Sequence, residues 1–290
     1  MTDILYHCTE LSTQYTNMKS KAISPQAGKL LTYFYQRDQP CFTISQALQG
    51  YSQHSKNALA KLLSTMTQQG LLMRVQQGLY CIIPYEQDPA TFMPNWHRLA
   101  PYLVKEQPYY IGYYAALQIH GLITQPALKE QIVVNKQIRP AVVTIKEIPF
   151  QFIYHNKNHF FGFERTWIND FNQVYCADLE KIFIDCLFKP AYAGGIVEIA
   201  KALLMAKERI DQQKLWMYLE RFNCQAVIKR LGFLLELFES KTSLSKKLQK
   251  LKTPSFVLLD PEIPLSGKRI SRWSIQQNVD TATLRSALLT

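Results

Sequence analysis

Ser52, Gln53, His54, Ser55, Lys56, Asn57 and Lys61 are the residues whose types and spacing offer the clearest chemistry in this 290-residue chain. They lie in the stretch SQHSKNALAKLLSTMTQQG, and none falls on its apolar positions Leu59, Leu62, Leu63 and Met66. Apolar residues at i, i+3, i+4 and i+7 make one face of an amphipathic helix, with Ser52 or Ser55 as its cap and Gly70 as its stop. The opposite edge carries groups that read DNA: Asn or Gln pairs bidentately with adenine, and Lys meets guanine or phosphate. Just downstream, Arg74, Gln76 and Gln77 are placed to reach phosphates or an adjacent minor groove. Any amphipathic helix has a polar face, so the weight of this reading rests on the elements around it.

Other candidate chemistry is sparser. Asp170, Asp178, Glu180 and Asp185 lie within sixteen residues and could hold a divalent cation for nuclease chemistry. In DLEKIFIDCLF, however, Leu179, Ile182, Phe183, Cys186 and Leu187 form a helical stripe, so the acids are expected to cap and solvate a helix. His155 and His159 stand four apart, but the intervening Asn-Lys-Asn reads as a turn and the pair as part of a polar loop. His120 reads as a core or helix-end histidine. Gly194-Gly195 resembles a phosphate-cradling loop without the rest of that motif, and a tight turn seating a helix from Ile196 is the simpler account. Glycine-rich nucleotide motifs, metalloprotease spacing and a nucleophile elbow are all missing. The sequence therefore predicts no catalytic residue, no metal and no cofactor.

The elements that must position the polar edge follow in order. PQAGKLLTYFYQ gives a first helix from Pro25, with Leu30, Leu31 and Phe34 at helical spacing. FTISQAL gives a short extended piece and a short helix ended by Gly50. After the polar-edged helix, LLMRV and LYCII flank a glycine-containing connection and read as a hairpin. Residues 20 to 83 thus predict a winged helix-turn-helix for duplex DNA. Five prolines between Pro84 and Pro108 mark an interdomain connection, dividing the chain into residues 1–90 and a larger α+β domain at 91–290. In the latter, YYIGYYAALQIHGL predicts a helix, QIVVNK, AVVTIK and FQFIYH predict strands, and Asp178 to Phe238 is mainly helical. The expected fold class is α+β, an N-terminal winged helix-turn-helix followed by a larger mixed domain.

Charge and cysteine usage set the context. A formal charge of +11 favours polyanionic partners. Residues 19 to 83 hold Lys19, Lys21, Lys29, Arg37, Lys56, Lys61 and Arg74 against Asp38, seven minus one or +6. Lys229 with Arg230, and the run Lys246, Lys247, Lys250 and Lys252, read as secondary basic patches that could extend a phosphate footprint. The six cysteines show no metal-clip spacing, and Cys81 and Cys186 sit in apolar runs where reduced thiols pack as small hydrophobes. No signal peptide or membrane span is read from the sequence, and a cytoplasmic location is expected.

Taken in order, the winged-helix segment closing in GLYCIIP, then YYIGYYAALQIHGL, YCADLEKIFIDCLFKPAYAGGIVEIAKAL, VIKRLGFLLELFE and LLDPEIPLSGKRISRWSIQQNVD resemble the AbiEi family of bacterial antitoxins. That resemblance implies an N-terminal domain that binds repeats in its own promoter and represses transcription. It also implies a C-terminal domain active against a nucleotidyltransferase-like toxin, classically without a stable complex. Gln53, Lys56, Asn57, Lys61 and Arg74 carry over by their place in the winged helix. The wing departs from the family in having few arginines, with Gln76-Gln77 at its turn, which leaves Lys246 to Lys252 room to share the grip on DNA. The competing readings are a metal-dependent nuclease-like enzyme using Asp178, Glu180 and Asp185, and a solitary regulator without a toxin.

Overall fold

The computed structural model describes residues 22–51, 55–104, 107–238 and 243–286. Two compact units meet at Leu103/Val104. Among the described residues there are eleven α-helices and three sheets, an α+β architecture.

In the first unit, helix α1 (Pro25–Tyr35) starts where Ser24 Oγ accepts from Ala27 N at 3.2 Å and proline occupies the first turn. It buries Ala27, Leu30, Leu31 and Phe34. Strand β1 (Cys41–Thr43) runs straight into α2 (Ile44–Gly50) because Thr43 ends one and caps the other. Its Oγ1 accepts from Gln46 N, and Gln46 Oε1 accepts from Thr43 N at 2.8 Å, a capping box. Helix α3 (Lys56–Gln68) is capped by Ser55 and buries Leu59, Leu63 and Met66. Gly70, at φ +71°, turns the chain into strands β2 (Leu72–Gln76) and β3 (Leu79–Ile82). The sheet order is β1-β3-β2, all antiparallel, and Phe42 of β1 stacks on Phe34 of α1 at 4.1 Å between ring centroids.

Two expectations change here. Cys41 and Cys81, directly opposite in the β1–β3 register, form a disulfide rather than packing as separate thiols. The strand pairing brings their Cα atoms to 4.0 Å, a proximity that apolar flanking sequence does not reveal. The proline-rich segment, expected as a connection, folds onto the first unit. Phe92, Leu99, Ala100 and Leu103 are buried, Arg98 donates to Asp38 O at 2.8 Å, and the Pro89 ring packs so tightly on Gly70 that a Cβ there would meet it at 2.4 Å. A 3-10 turn (Trp96–Leu99) and a short helix α4 (Ala100–Leu103) complete this packing. The compact unit therefore extends past residue 90.

The second unit is built on a mixed six-stranded sheet of order β6-β7-β5-β4-β9-β8. Its strands are β4 (Tyr109–Ile111), β5 (Glu130–Val134), β6 (Val142–Ile145), β7 (Ile148–Tyr154), β8 (Phe163–Trp167) and β9 (Gln173–Ala177). The β5–β7 and β4–β9 pairs are parallel and the rest antiparallel. All five residues of β5 are buried, as in a strand covered on both faces.

The segment expected as one helix is instead β4 followed by α5 (Tyr113–Ile119). The junction is Gly112, where a Cβ would lie 2.7 Å from Val133, and the buried Gln131 side chain caps α5 by accepting from Tyr114 N at 2.9 Å. Helices α6 (Leu179–Phe188), α7 (Ile196–Met205), α8 (Gln212–Phe222), α9 (Gln225–Leu237) and α10 (Ser243–Leu251) follow. A small sheet of β10 (Val257–Leu258), β11 (Lys268–Ile270) and β12 (Ile275–Gln277) and a final helix α11 (Thr281–Ser286) close the unit. Trp273 lies flat on Gly232 of α9, where a Cβ would collide with its ring at 2.0 Å. None of the described helices is long and apolar enough to cross a membrane.

Candidate nucleic-acid interface

Helix α3 separates its two faces as the sequence predicts. Ser55 serves as cap, its Oγ accepting from Ala58 N at 3.2 Å, Asn57 and Lys61 are exposed opposite the buried Leu59, Leu63 and Met66, and Lys56 is exposed in the first turn. Ser52, Gln53 and His54 lie outside the described residues. The 3.6-residue period carries the polar stripe further than the sequence reading took it: Asn57, Lys61, Ser64 and Gln68 are all exposed on successive turns. That period was the signal for Ser64 and Gln68, which lack a charge to draw notice.

The hairpin presents a second polar surface. Arg74 and Gln76 are exposed on β2, and Gln77 with Gly78 forms the turn, Gly78 having φ +81°. A register shift between Arg74 and Gln76 twists this strand where it leaves the core. In the turn after α1, the Arg37 guanidinium lies 3.7 Å from the Tyr33 ring centroid and also donates to Tyr33 O, while Arg98 pairs with Asp38 at 3.3 Å. Asp38 is thus paired at the surface, with its carboxylate still largely exposed.

The secondary patches divide. Lys229 and Arg230 are core residues. Lys229 Nζ donates to Ser255 O at 2.6 Å and Thr253 Oγ1 at 3.0 Å. The Arg230 guanidinium binds Leu187 O at 2.6 Å and Leu258 O at 3.0 Å. Helix α9 is apolar on nearly every side and packed nearly all round, so its two cations reach inward and tie down the end of α6 and the segment from Thr253 to Leu258 in β10. Neither offers charge to a phosphate. Lys246, Lys247 and Lys250 are exposed on α10, with Lys247 Nζ 5.1 Å from the Trp216 ring centroid, whereas Lys252 is half-buried and donates to Ser274 Oγ at 3.2 Å.

The four carboxylates do not gather at one point; Asp178 and Glu180 share the Lys214 ammonium, at 3.3 and 2.8 Å, and the other two lie elsewhere. Asp178 caps α6, accepting from Lys181 N at 2.9 Å and from Tyr218 OH at 2.7 Å. Glu180 pairs with Lys214 at 2.8 Å, Asp185 is held by Lys181 inside the core, and Asp170 sits exposed in the β8–β9 turn. No group of three metal-ligating side chains exists among the described residues. The Gly194-Gly195 turn, with both residues at positive φ, does open a helix N-terminus. Its Ile196 N–H is taken by the buried Asp260 carboxylate at 2.8 Å, an internal stand-in for the anion.

Sequence reasoning missed a buried polar cluster, and it corrects the histidine loop. His155 is buried, with Nε2 2.8 Å from Tyr113 OH and Nδ1 3.2 Å from Tyr110 OH. Tyr110 OH donates to Asp185 Oδ2 at 2.9 Å and accepts from Lys181 Nζ at 3.0 Å. His159 stacks on Phe222 at 3.8 Å and bonds its carbonyl. Burial holds the His155 imidazole down to about 4, overcoming the opposing pull of Asp185. His120 ends α5 with Nε2 3.1 Å from Ala177 O.

No family model matches the chain, and no curated protein matches it by sequence. The fold has a solved counterpart. It is similar to the crystal structure of the RV2827C protein from Mycobacterium tuberculosis, with a TM-score of 0.67 over 93% of this chain and 96% of that one. The likeness spans both units, and at 11% identity it is a likeness of fold alone.

Proposed function

We propose that residues 22–83 are a winged helix-turn-helix that binds duplex DNA, with α3 entering the major groove and the β2–β3 hairpin as its wing. The observation that carries this reading is the edge of α3. Asn57, Lys61, Ser64 and Gln68 are all exposed and on one side, Lys56 is exposed in the first turn, the helix is fixed to the core by Leu59, Leu63 and Met66, and Arg74, Gln76 and Gln77 are exposed on the adjoining hairpin. A cationic, amide-bearing edge on a rigid helix is what groove recognition needs.

The resemblance to the AbiEi family extends this to an antitoxin that represses its own operon and counters a nucleotidyltransferase-like toxin. The second unit then carries the antitoxin activity. The nuclease reading loses its support, because each buried carboxylate it requires is already engaged by a cation, a tyrosine or a helix N-terminus.

A mobility-shift titration with the protein's own upstream DNA at low salt tests the DNA-binding claim. A specific shift is expected, weakened roughly tenfold or more by combining Lys56→Ala with Lys61→Ala. Absence of a specific shift would sink it. The antitoxin claim is tested separately, by co-expression with the product of the neighbouring reading frame and a growth readout.

A further inference from the structure

The geometry points to a homodimer formed by edge-to-edge pairing of β8 in two copies of this chain. Strand β8 is an outer strand of the six-stranded sheet. Gly162 O accepts from Asp178 N at 3.0 Å and Ile168 N donates to Asn172 O at 2.9 Å, with Glu164 opposite Cys176 and Thr166 opposite Val174 between them. In an antiparallel ladder the bonded pairs alternate, so Glu164 and Thr166 turn their backbone groups to β9. Phe163, Arg165 and Trp167 turn theirs outward, and no strand among the described residues takes them up. Beside this open edge Trp167 is 58% exposed and Phe171, in the turn, 84% exposed. Thr166 Oγ1 is shielded from solvent with no hydrogen-bond partner.

The residue sequence of β8 says what fits. Two copies pairing antiparallel must bring outward-directed residues opposite one another, so the two-fold axis can fall at Glu164, at Arg165 or at Thr166. The first sets Glu164 against itself and the second sets Arg165 against itself, and like charges directly opposite are unfavourable. The third sets the uncharged, β-branched Thr166 against itself, with no like-charge conflict. It also sets Arg165 of each copy against Trp167 of the other, a cation over an indole face. Those two symmetry-related pairs also exchange the outward backbone bonds. A lone charge in an edge strand blunts association. In this register the same charge meets an aromatic partner.

The inference is independent of DNA binding. A pairing of this size belongs to the weak class of interfaces, so sedimentation of the full chain, free of DNA, is followed from about 10 micromolar to roughly millimolar concentration. The sedimentation coefficient is expected to rise with concentration. Arg165→Pro removes an outward N–H together with the guanidinium that meets Trp167 of the other copy, and Trp167→Ser removes the indole. Each is expected to raise the dimer dissociation constant tenfold or more with an unchanged melting temperature.

Register is read by cysteine cross-linking against the unsubstituted chain, with diamide taking up the two electrons and two protons of each disulfide formed. Thr166→Cys should link two chains and Glu164→Cys should not. A chain that stays monomeric throughout overturns the inference. So does a dimer untouched by both Arg165→Pro and Trp167→Ser, or equal cross-linking at 164 and 166.

Discussion

Lys181 and Asp185 stand one helical turn apart on α6 with both side chains fully buried, and their ion pair is completed by Tyr110. Removing one partner of such a pair strands the other charge in low dielectric, so Asp185→Ala is expected to cost about 3–5 kcal/mol. Lys181→Met combined with Asp185→Leu should cost less than the single change, since no orphaned ion remains; urea unfolding of the three chains decides this. His155, touching the same tyrosines, gives a pH signature. Its folded-state value of about 4 lies below the ordinary 6.5, so the unfolded chain binds the proton first. Its contribution is complete above about pH 6.5 and is lost as pH falls toward 4, of order 3 kcal/mol. His120 and His159 are also lowered by burial and act in the same direction. The expected result is therefore a shallower loss of stability on acidification for His155→Asn than for the unsubstituted chain. None of this cluster was legible in the sequence: Tyr110, His155 and Lys181 come together through sheet order, and spacing along the chain carries no trace of it.

At the scale of elements, legibility followed periodicity. Helices α1 and α3 and the β2–β3 hairpin have one buried face each, so their apolar positions repeat at 3.6 or 2 residues and their ends carry Ser24, Ser55, Gly70 and Gly78. Strand β4 and helix α5 read as one helix because both are largely buried and mostly apolar, which blurs either period; only Gly112 marks the change. The Cys41–Cys81 bridge was hidden for a related reason, since β1 is three residues long and its pairing with β3 is a non-local fact. The bridge spans a sequence separation of 40 and so encloses α2, α3 and β2. Closing a loop of that length removes unfolded-state entropy worth about 4 kcal/mol. Reduction, or Cys41→Ser, should therefore lower the melting temperature of the first unit by roughly 10 °C or more. Calorimetry with and without reductant measures it, and equal melting temperatures would show that the bridge contributes nothing.

For the whole molecule, the question is where the excess positive charge is spent. The formal +11 overstates what a polyanion meets. Lys181, Lys229 and Arg230 are buried among internal acceptors, Arg37 lies on Tyr33, and Arg98 is paired with Asp38. Among the many exposed cations, those on the proposed binding elements are Lys56, Lys61 and Arg74 in the first unit and, in the second, Lys246, Lys247 and Lys250 along α10. Each Lys or Arg that neutralises a phosphate steepens the fall of log K with log salt by about 0.9. On the proposed reading, Lys56→Ala with Lys61→Ala should flatten that slope by about 1.8. Replacing Lys246, Lys247 and Lys250 by Gln separates two outcomes. An unchanged slope confines the footprint to the first unit; a slope flattened by about 0.9 for each contacting lysine brings α10 onto the backbone. Lys229→Met is the control, because its ammonium is committed to Thr253 and Ser255. It should reduce stability and leave the slope alone, and a slope that moved with it would mean that charge acts here through the field of the whole protein rather than through contacts.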